Sequence, residues 1–227
     1  MANIPNVILI HGAWADGSSW AKVIPLLQAQ ALSVTAVQLP LTSFENDLAT
    51  ARRAIALVNG PIVLVGHSYG GAVITATGKD PNVAALVYIA AFAPDVGQSA
   101  GSLGASVAPA PIAEHVRPDK EGYLKLTAAG INENFAQDLT DVEKNVLFAT
   151  QAPTSGASLG GNVTAAAWKS KPSSYLVATL DRAIRPELQR TMAKTIRAKT
   201  IEVASSHVAM LSHPQDTAHL IIEAASR

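Results

Sequence analysis

The sequence predicts an α/β fold, a mostly parallel sheet flanked by helices with a small, mainly helical insertion. Three observations carry this. Short β-branched and aliphatic runs alternate with amphipathic stretches from residue 7 to residue 89. The runs are continuously apolar, as strands covered on both faces must be. The alternation lapses between about residues 94 and 171 and then resumes to the end of the chain. At 227 residues and 48% apolar composition the chain can bury one core and is too short for two independent ones. A single domain over residues 1–227 with a cap insertion at about 94–171 is therefore expected.

The first strand is read at residues 7–10, closed by Gly12. No basic leader precedes it, so it is expected to be a strand and not a cleaved targeting segment. Residues 19–31 read as a helix and 33–38 as the second strand. Thr42 and Glu45 have capping-box spacing for a helix whose Leu48, Ala51, Ile55 and Val58 share a face, and Gly60 and Pro61 end it. A third strand follows at 62–65, a helix at 70–79 and a fourth strand at 83–89, which together require right-handed crossovers. The stretch 94–171 holds no convincing strand, only helical patches at 121–126 and 141–148. Ala, Gly, Ser and Pro crowd residues 93–113, which suggests irregular backbone there. A strand at 174–178, a helix with Pro186 in its first turn, a strand at 200–204 and a closing helix opened by Pro214 complete the sheet.

Composition narrows the function. Acidic and basic residues number 17 each, so no single-sign field exists to steer nucleic acid or an anionic membrane to the protein. A small uncharged molecule is the expected partner. No apolar stretch reaches the roughly 18–20 residues of a membrane span. The absence of cysteine excludes disulfides and thiolate metal sites and makes the cytoplasm the default location. There is neither a metal-ligand cluster nor a phosphate loop, so no cofactor is implied. Oligomeric state cannot be read from the chain.

The strongest chemical signal is Gly66-His67-Ser68-Tyr69-Gly70, a G-x-S-x-G placed directly after a buried strand and directly before a helix. A turn so sharp needs glycines beside the serine and projects its hydroxyl outward, while the helix N-terminus favours the negative charge of carbonyl attack. The competing reading is an ordinary Gly-rich turn. A serine hydroxyl needs a base. Of six histidines, His207 lies just past the last strand, at the carboxyl edge of the sheet where such sites form. His213 and His219 belong to an amphipathic helix, His115 falls in the insertion, and His11 and His67 each sit beside a glycine in a tight turn, suited to bracing it. The orienting carboxylate is expected after a late strand, between serine and histidine in chain order, which selects Asp181. Helix capping or pairing with Arg182 or Arg185 would also explain Asp181, and Asp95, beyond the fourth strand, is the runner-up. Ala13, after the first strand, and Tyr69, after the serine, hold the positions of backbone oxyanion donors. Trp14 and Tyr69 are expected to face the pocket, with Trp20 a further candidate.

VILIHGAW, SVTAVQLP, VLVGHSYGG, YIAAFAPD, YLVATLDRAIRPELQ and SSHVAMLSHP together resemble the small-cap α/β-hydrolases that include plant methylesterases and hydroxynitrile lyases. The likeness covers nearly all of the sheet region and is nearest to bacterial esterase-like members. It implies the α/β-hydrolase fold, Ser68, Asp181 and His207 as a triad, and Ala13 and Tyr69 as oxyanion donors. It also implicates Gly12 and Val208 in substrate handling, because the lyases carry threonine and lysine there. Glycine and valine at these positions argue against cyanohydrin cleavage and for hydrolysis, and the apolar, Ala-rich and Gly-rich insertion next to Trp14 points to small to medium, mostly uncharged carboxylic esters. The remaining readings are a lyase-like or perhydrolase enzyme, and a receptor of slow or no turnover on the same fold. A dehalogenase would need a carboxylate at Ser68.

Overall fold

The computed structural model describes residues 5–226. Six strands, β1 (Asn6–Ile10), β2 (Ser33–Val37), β3 (Ile62–His67), β4 (Val83–Ile89), β8 (Ser173–Ala178) and β9 (Lys199–Val203), form one sheet in the order β2-β1-β3-β4-β8-β9. Each of its five pairings is parallel. Three short strands between β4 and β8, namely β5 (Val116–Pro118), β6 (Tyr123–Leu126) and β7 (Thr154–Ser155), form a separate antiparallel sheet.

The main sheet is covered on both sides because alternate residues of a strand point to opposite faces. Ile8, Ile10, Leu64 and Tyr88 pack on one side with α2 (Phe44–Ala56), α3 (Gly70–Thr77) and α8 (Pro186–Thr195). Val7, Leu9, Val65 and Val87 pack on the other with α1 (Ile24–Gln28) and α10 (Pro214–Ala225). Every residue of α3 is buried, so the helix that follows the serine turn lies in the interior of its layer. No helix among the described residues is long and apolar enough to cross a membrane.

The doubly covered parallel sheet matches the sequence expectation, and three local readings need correction. Residues 19–31 are not one helix: a 3₁₀ turn at Gly17–Trp20 precedes the five-residue α1. Pro25 supplies no N–H to an earlier turn and so restarts the helix in its own first turn. The cap of α2 is Ser43, whose Oγ accepts from Asn46 N at 3.2 Å, while Thr42 Oγ1 accepts from the Asn46 side chain at 3.0 Å. Residues 121–126, read as helical, instead contain β6. Asp119 Oδ1 accepts from the N–H groups of Glu121 and Tyr123, and Gly122 adopts φ +82°, so a hairpin turn forms where a helix was expected.

The insertion is therefore helical and stranded. It contains α4 (Ala100–Ala105), β5, β6, α5 (Ala128–Gly130) running into a π turn at Ile131–Phe135, α6 (Asp141–Thr150), β7 and α7 (Gly156–Gly160). Thr140 and Glu143 cap α6 reciprocally, and Lys22 reaches Glu143 at 2.5 Å, pinning this helix to the sheet layer.

The tightest packing lies where α3 leaves the sheet. A Cβ on Gly71 would stand 2.2 Å from the carbonyl oxygen of Phe92, in backbone that cannot yield, whereas one on Gly160 would meet nothing within 4 Å. Gly71→Ala is expected to lower stability by about 3 kcal/mol, the upper end of overpacking costs, and Gly160→Ala to stay within about 0.5 kcal/mol of the parent. Urea unfolding midpoints measure both. Equal midpoints for the two variants would contradict the packing argument.

Candidate active site

The strand β3 ends at His67 and α3 begins at Gly70, which leaves two residues for a reversal of direction. Ser68 takes the left-handed conformation, φ +52°, that a side chain adopts only under constraint. Its N–H donates to Ile89 O at 3.2 Å, and its carbonyl accepts from Gly71 N and Phe92 N at 3.0 Å each. Gly70 permits the approach of β1, since a Cβ there would stand 2.6 Å from Ile10 O. Ser68 borders a cavity of about 150 Å³ that is also lined by His207, Ala13, Trp14 and Tyr69.

His207 lies in the loop after β9 with its ring almost fully buried. Its Nδ1 is 2.7 Å from Asp181 Oδ2. A carboxylate only accepts, so Nδ1 carries the proton and the Nε2 lone pair is left available. Asp181 follows β8 and is buried, yet both of its oxygens are satisfied. Oδ1 accepts from Ala183 N at 2.7 Å and Ile184 N at 3.0 Å, and Oδ2 accepts from Gln189 Nε2 at 2.7 Å as well as from His207. Gln189, itself fully buried, is held by Ala178 N and Ile184 O. Arg182 and Arg185 point elsewhere, to the carbonyls of Glu133, Ala108 and Pro109. Asp95 lies away from this cluster on the surface and pairs with Lys169 at 2.5 Å, which holds its carboxyl below the usual range.

The two other buried histidines brace the walls. His11 Nε2 accepts from Leu39 N at 2.9 Å, so its Nδ1 carries the proton and donates to Gly12 O at 2.9 Å. His67 Nε2 donates to His207 O at 3.0 Å, and its ring centroid lies 4.7 Å from that of His207. Burial lowers the pKa of His11 and lowers that of His67 well below the usual value. Both rings therefore stay neutral, and neither places a second charge beside His207.

Ala13 and Tyr69 carry N–H groups that donate to no other group among the described residues. Tyr69 is anchored at its far end, where the hydroxyl donates to the fully buried Asp47 at 2.6 Å. Burial raises the Asp47 carboxyl and the Tyr69 phenol alike. Trp14, at φ +57°, forms part of the cavity wall and meets Phe135 edge to face at 6.3 Å, and Phe135 in turn covers the His207 ring at 5.1 Å.

Gly12 and Val208, implicated in substrate handling by the resemblance, and the further candidate Trp20 are not among the residues that line the cavity. Gly12 is sealed behind Ser68, where an added Cβ would stand 2.7 Å from the serine Cβ, so it provides close packing and no pocket surface. Val208 is buried in the layer formed with Val7 and Leu9, because the chain turns inward directly after His207. Trp20 lies in the same layer with its edge toward His67. The apolar wall is built instead by Phe92, Gly101, Gly104, Ile112, Leu159 and Ile184, most of them from the insertion. Only the apolar character of residues 100–112 hinted at this, since small residues without periodicity do not reveal which side faces inward. Among the described residues no cluster of three or more His, Asp or Glu side chains is arranged to hold a metal.

Comparison with known proteins agrees with this architecture. "Probable hydrolase R7" of Phoma sp. is 25% identical over 97% of this chain and 98% of its own length. "Methylesterase 8" of Arabidopsis thaliana is 27% identical over 82% of this chain and 76% of its own. Among solved structures, a pyrethroid hydrolase from Sphingobium faniae superposes with a TM-score of 0.84 at 24% identity, covering 98% of both chains. Polyneuridine aldehyde esterase reaches the same score at 18% identity over 97% of this chain and 98% of that one. The likeness to the methylesterase group read from the sequence is thus borne out. Residues 7–220 match the model of the alpha/beta hydrolase family, and the chain belongs to that family.

Proposed function

We propose that this protein is a serine carboxylesterase that uses Ser68, His207 and Asp181 as a triad and acts on small, uncharged esters. The observation that supports the reading is the convergence on one cavity of Ser68, His207, Ala13 and Tyr69, with His207 held to Asp181 at 2.7 Å. Names among the relatives, methylesterase and carbendazim-hydrolyzing esterase included, fit the same class of reaction.

In this mechanism His207 Nε2 removes the Ser68 hydroxyl proton as Oγ attacks the substrate carbonyl carbon. The carbonyl π electrons move onto oxygen, and the Ala13 and Tyr69 N–H groups stabilise the resulting anion. Collapse of the tetrahedral species breaks the ester C–O bond, and protonated His207 gives its proton to the leaving alkoxide. Water then enters, loses a proton to His207, attacks the acyl carbon and releases the acid, and the proton returns to Ser68 Oγ. Asp181 stays ionised throughout and stabilises the imidazolium. Each proton has a donor and an acceptor within the triad, so no cofactor is called for.

The cavity supports the substrate class. At about 150 Å³ it is smaller than the roughly 300–1,000 Å³ typical of sites for drug-sized ligands. Its wall is aliphatic and aromatic, and the titratable groups on it, His207 and the phenol of Tyr69, are already committed to Asp181 and Asp47. A substrate carboxylate would be buried there without a partner. Lyase chemistry gains no support, since Val208 faces the core and not the cavity.

The protein is expected to hydrolyse p-nitrophenyl butyrate, with turnover lost in Ser68→Ala and one fluorophosphonate adduct on Ser68 in the intact mass. Absence of both turnover and adduct would refute the hydrolase reading, and slow single-turnover release with product retained would identify a receptor. Asp181→Asn should lower kcat by roughly 10³–10⁴-fold, because an amide at that position favours the wrong imidazole tautomer. Steady-state rates near those of the parent would remove Asp181 from the triad. In a matched series of p-nitrophenyl esters, a terminal carboxylate on the acyl chain should reduce kcat/KM by about tenfold or more, equivalent to the ~1.4 kcal/mol that an unpaired charge readily costs. Faster turnover of the charged esters would overturn the assigned substrate class.

A further inference from the structure

The proposed oxyanion donors Ala13 and Tyr69 belong to loops of the main sheet, yet each is tied at a distance to the two-residue strand β7 of the insertion. The first tie runs through Trp14. Its backbone N–H donates to Thr154 Oγ1 at 3.1 Å, and its indole N–H donates to Leu124 O at 3.0 Å. Leu124 and Thr154 are direct cross-strand partners in β6 and β7, so a single rung of the small sheet holds both ends of the tryptophan. The peptide unit between Ala13 and Trp14 is planar. Fixing the Trp14 N–H therefore fixes the peptide plane that follows Ala13, and the plane that carries the Ala13 N–H is held on its other side by His11 Nδ1, which donates to Gly12 O, so Ala13 is restrained at both of its peptide planes. Trp14 sits at φ +57°, a conformation that bulky residues leave unless their surroundings hold them. Thr154 is completely buried, so water is not at hand to replace its hydroxyl as the acceptor.

The second tie runs through Tyr69. Its phenol donates to Asp47 Oδ2 at 2.6 Å, Asp47 Oδ1 accepts from Leu41 N at 2.8 Å, and Leu41 O accepts from Ser155 N at 2.8 Å. Leu41 also lies in the left-handed region, at φ +55°. Ser155 directly follows Thr154, so both ties end in β7.

We infer that β7 is a positioning element for the oxyanion hole, with Thr154 aiming the Ala13 N–H through Trp14 and Asp47 aiming the Tyr69 N–H through its phenol. The inference rests on the proposed serine-esterase reading. It makes the insertion part of the transition-state machinery as well as the wall that selects substrate. Thr154 and Asp47 do not line the cavity, so the effect expected of them falls on the step in which charge appears on the carbonyl oxygen. Loss of one oxyanion donor costs about 10²–10³-fold in kcat, and a donor that is only mis-aimed loses part of that.

The test compares Thr154→Val, which keeps the shape and removes the acceptor, with Thr154→Ser, which keeps the acceptor. For p-nitrophenyl butyrate, Thr154→Val should lower kcat by roughly tenfold with KM within about twofold. It should weaken inhibition by a trifluoromethyl ketone, whose adduct carries the oxyanion, by a similar factor. Thr154→Ser should recover most of both. Tyr69→Phe, which cuts the second tie and leaves the Tyr69 backbone in place, should show the same split between kcat and KM. It decides the matter should Thr154→Val fail to fold. Parent-like kcat and ketone affinity in Thr154→Val, or losses of equal size in Thr154→Val and Thr154→Ser, would overturn the inference while leaving the esterase assignment intact. No turnover and no ketone binding by the parent protein would overturn both.

Discussion

The left-handed turn at Ser68 is the constraint on which the rest of the site depends. A non-glycine residue held at φ +52° costs of order 1–3 kcal/mol and persists only where its neighbours leave no alternative. Here the neighbours are backbone. Ile89 O and the N–H groups of Gly71 and Phe92 hold the serine on both sides, and Gly70 and Gly71 let Ile10 O and Phe92 O come within distances that exclude any side chain. The strand that precedes the turn and the helix that follows it are both buried, so the strain is offset by the packing of the sheet itself. Moving the serine would require moving β1 and the chain after β4 as well.

A second constraint is the buried carboxylate of Asp181. An isolated charge at this depth is heavily penalised, and four hydrogen bonds remove the penalty. Two come from backbone N–H groups of its own loop and one from Gln189, which is in turn fixed by the end of β8. Only the fourth remains for His207, and it arrives with a defined direction. The arrangement orients the imidazole and selects its tautomer without any group having to move. His67 reinforces this from the opposite side by holding the His207 carbonyl, and burial keeps it uncharged. The neutral histidines at positions 11 and 67 thus do structural work that leaves the local charge balance to Asp181 alone.

What the sequence made legible follows from these constraints. The serine turn was readable because its geometry permits glycine alone at fixed offsets, and Asp181 and His207 because each stands just past a strand whose apolar run is unmistakable. The main sheet was readable for the same reason. Gly12, implicated in substrate handling by the resemblance and not by its own surroundings, packs against Ser68 and does not line the cavity. Val208 was misread because one residue past His207 the chain already points into the core. The insertion was least legible. Its strands are two to four residues long, the hairpin of β5 and β6 is set by the side chain of Asp119, and its wall residues are small and aperiodic. Pairing in such elements is decided by contacts distant in sequence, and local pattern carries little of it.

Those distant contacts also define what the insertion does for the fold. It is tied directly to the loops that carry Asp181, His207 and Ala13. Gln137 donates to Leu180 O beside Asp181, and Asp138 accepts from Ser206 N beside His207. Arg182 donates to Glu133 O, and the π turn, a distortion that helices tolerate mainly at functional places, sets Phe135 against the His207 ring. With the ties to Trp14 and Leu41, the loops that carry Asp181, His207 and Ala13 are each held from the sheet below and the insertion above. A lid that swings open would have to release all of these hydrogen bonds together, whereas Gly101 and Gly104, which line the cavity without a side chain of their own, take no part in them. The same geometry separates two tasks within one insertion. Its residues near 124, 137 and 154 serve alignment and are constrained by hydrogen bonds, and those near 101, 104, 112 and 159 serve shape and are constrained only by volume. Under the proposed mechanism, substitutions in the second set change substrate preference while the first set keeps the catalytic groups in place.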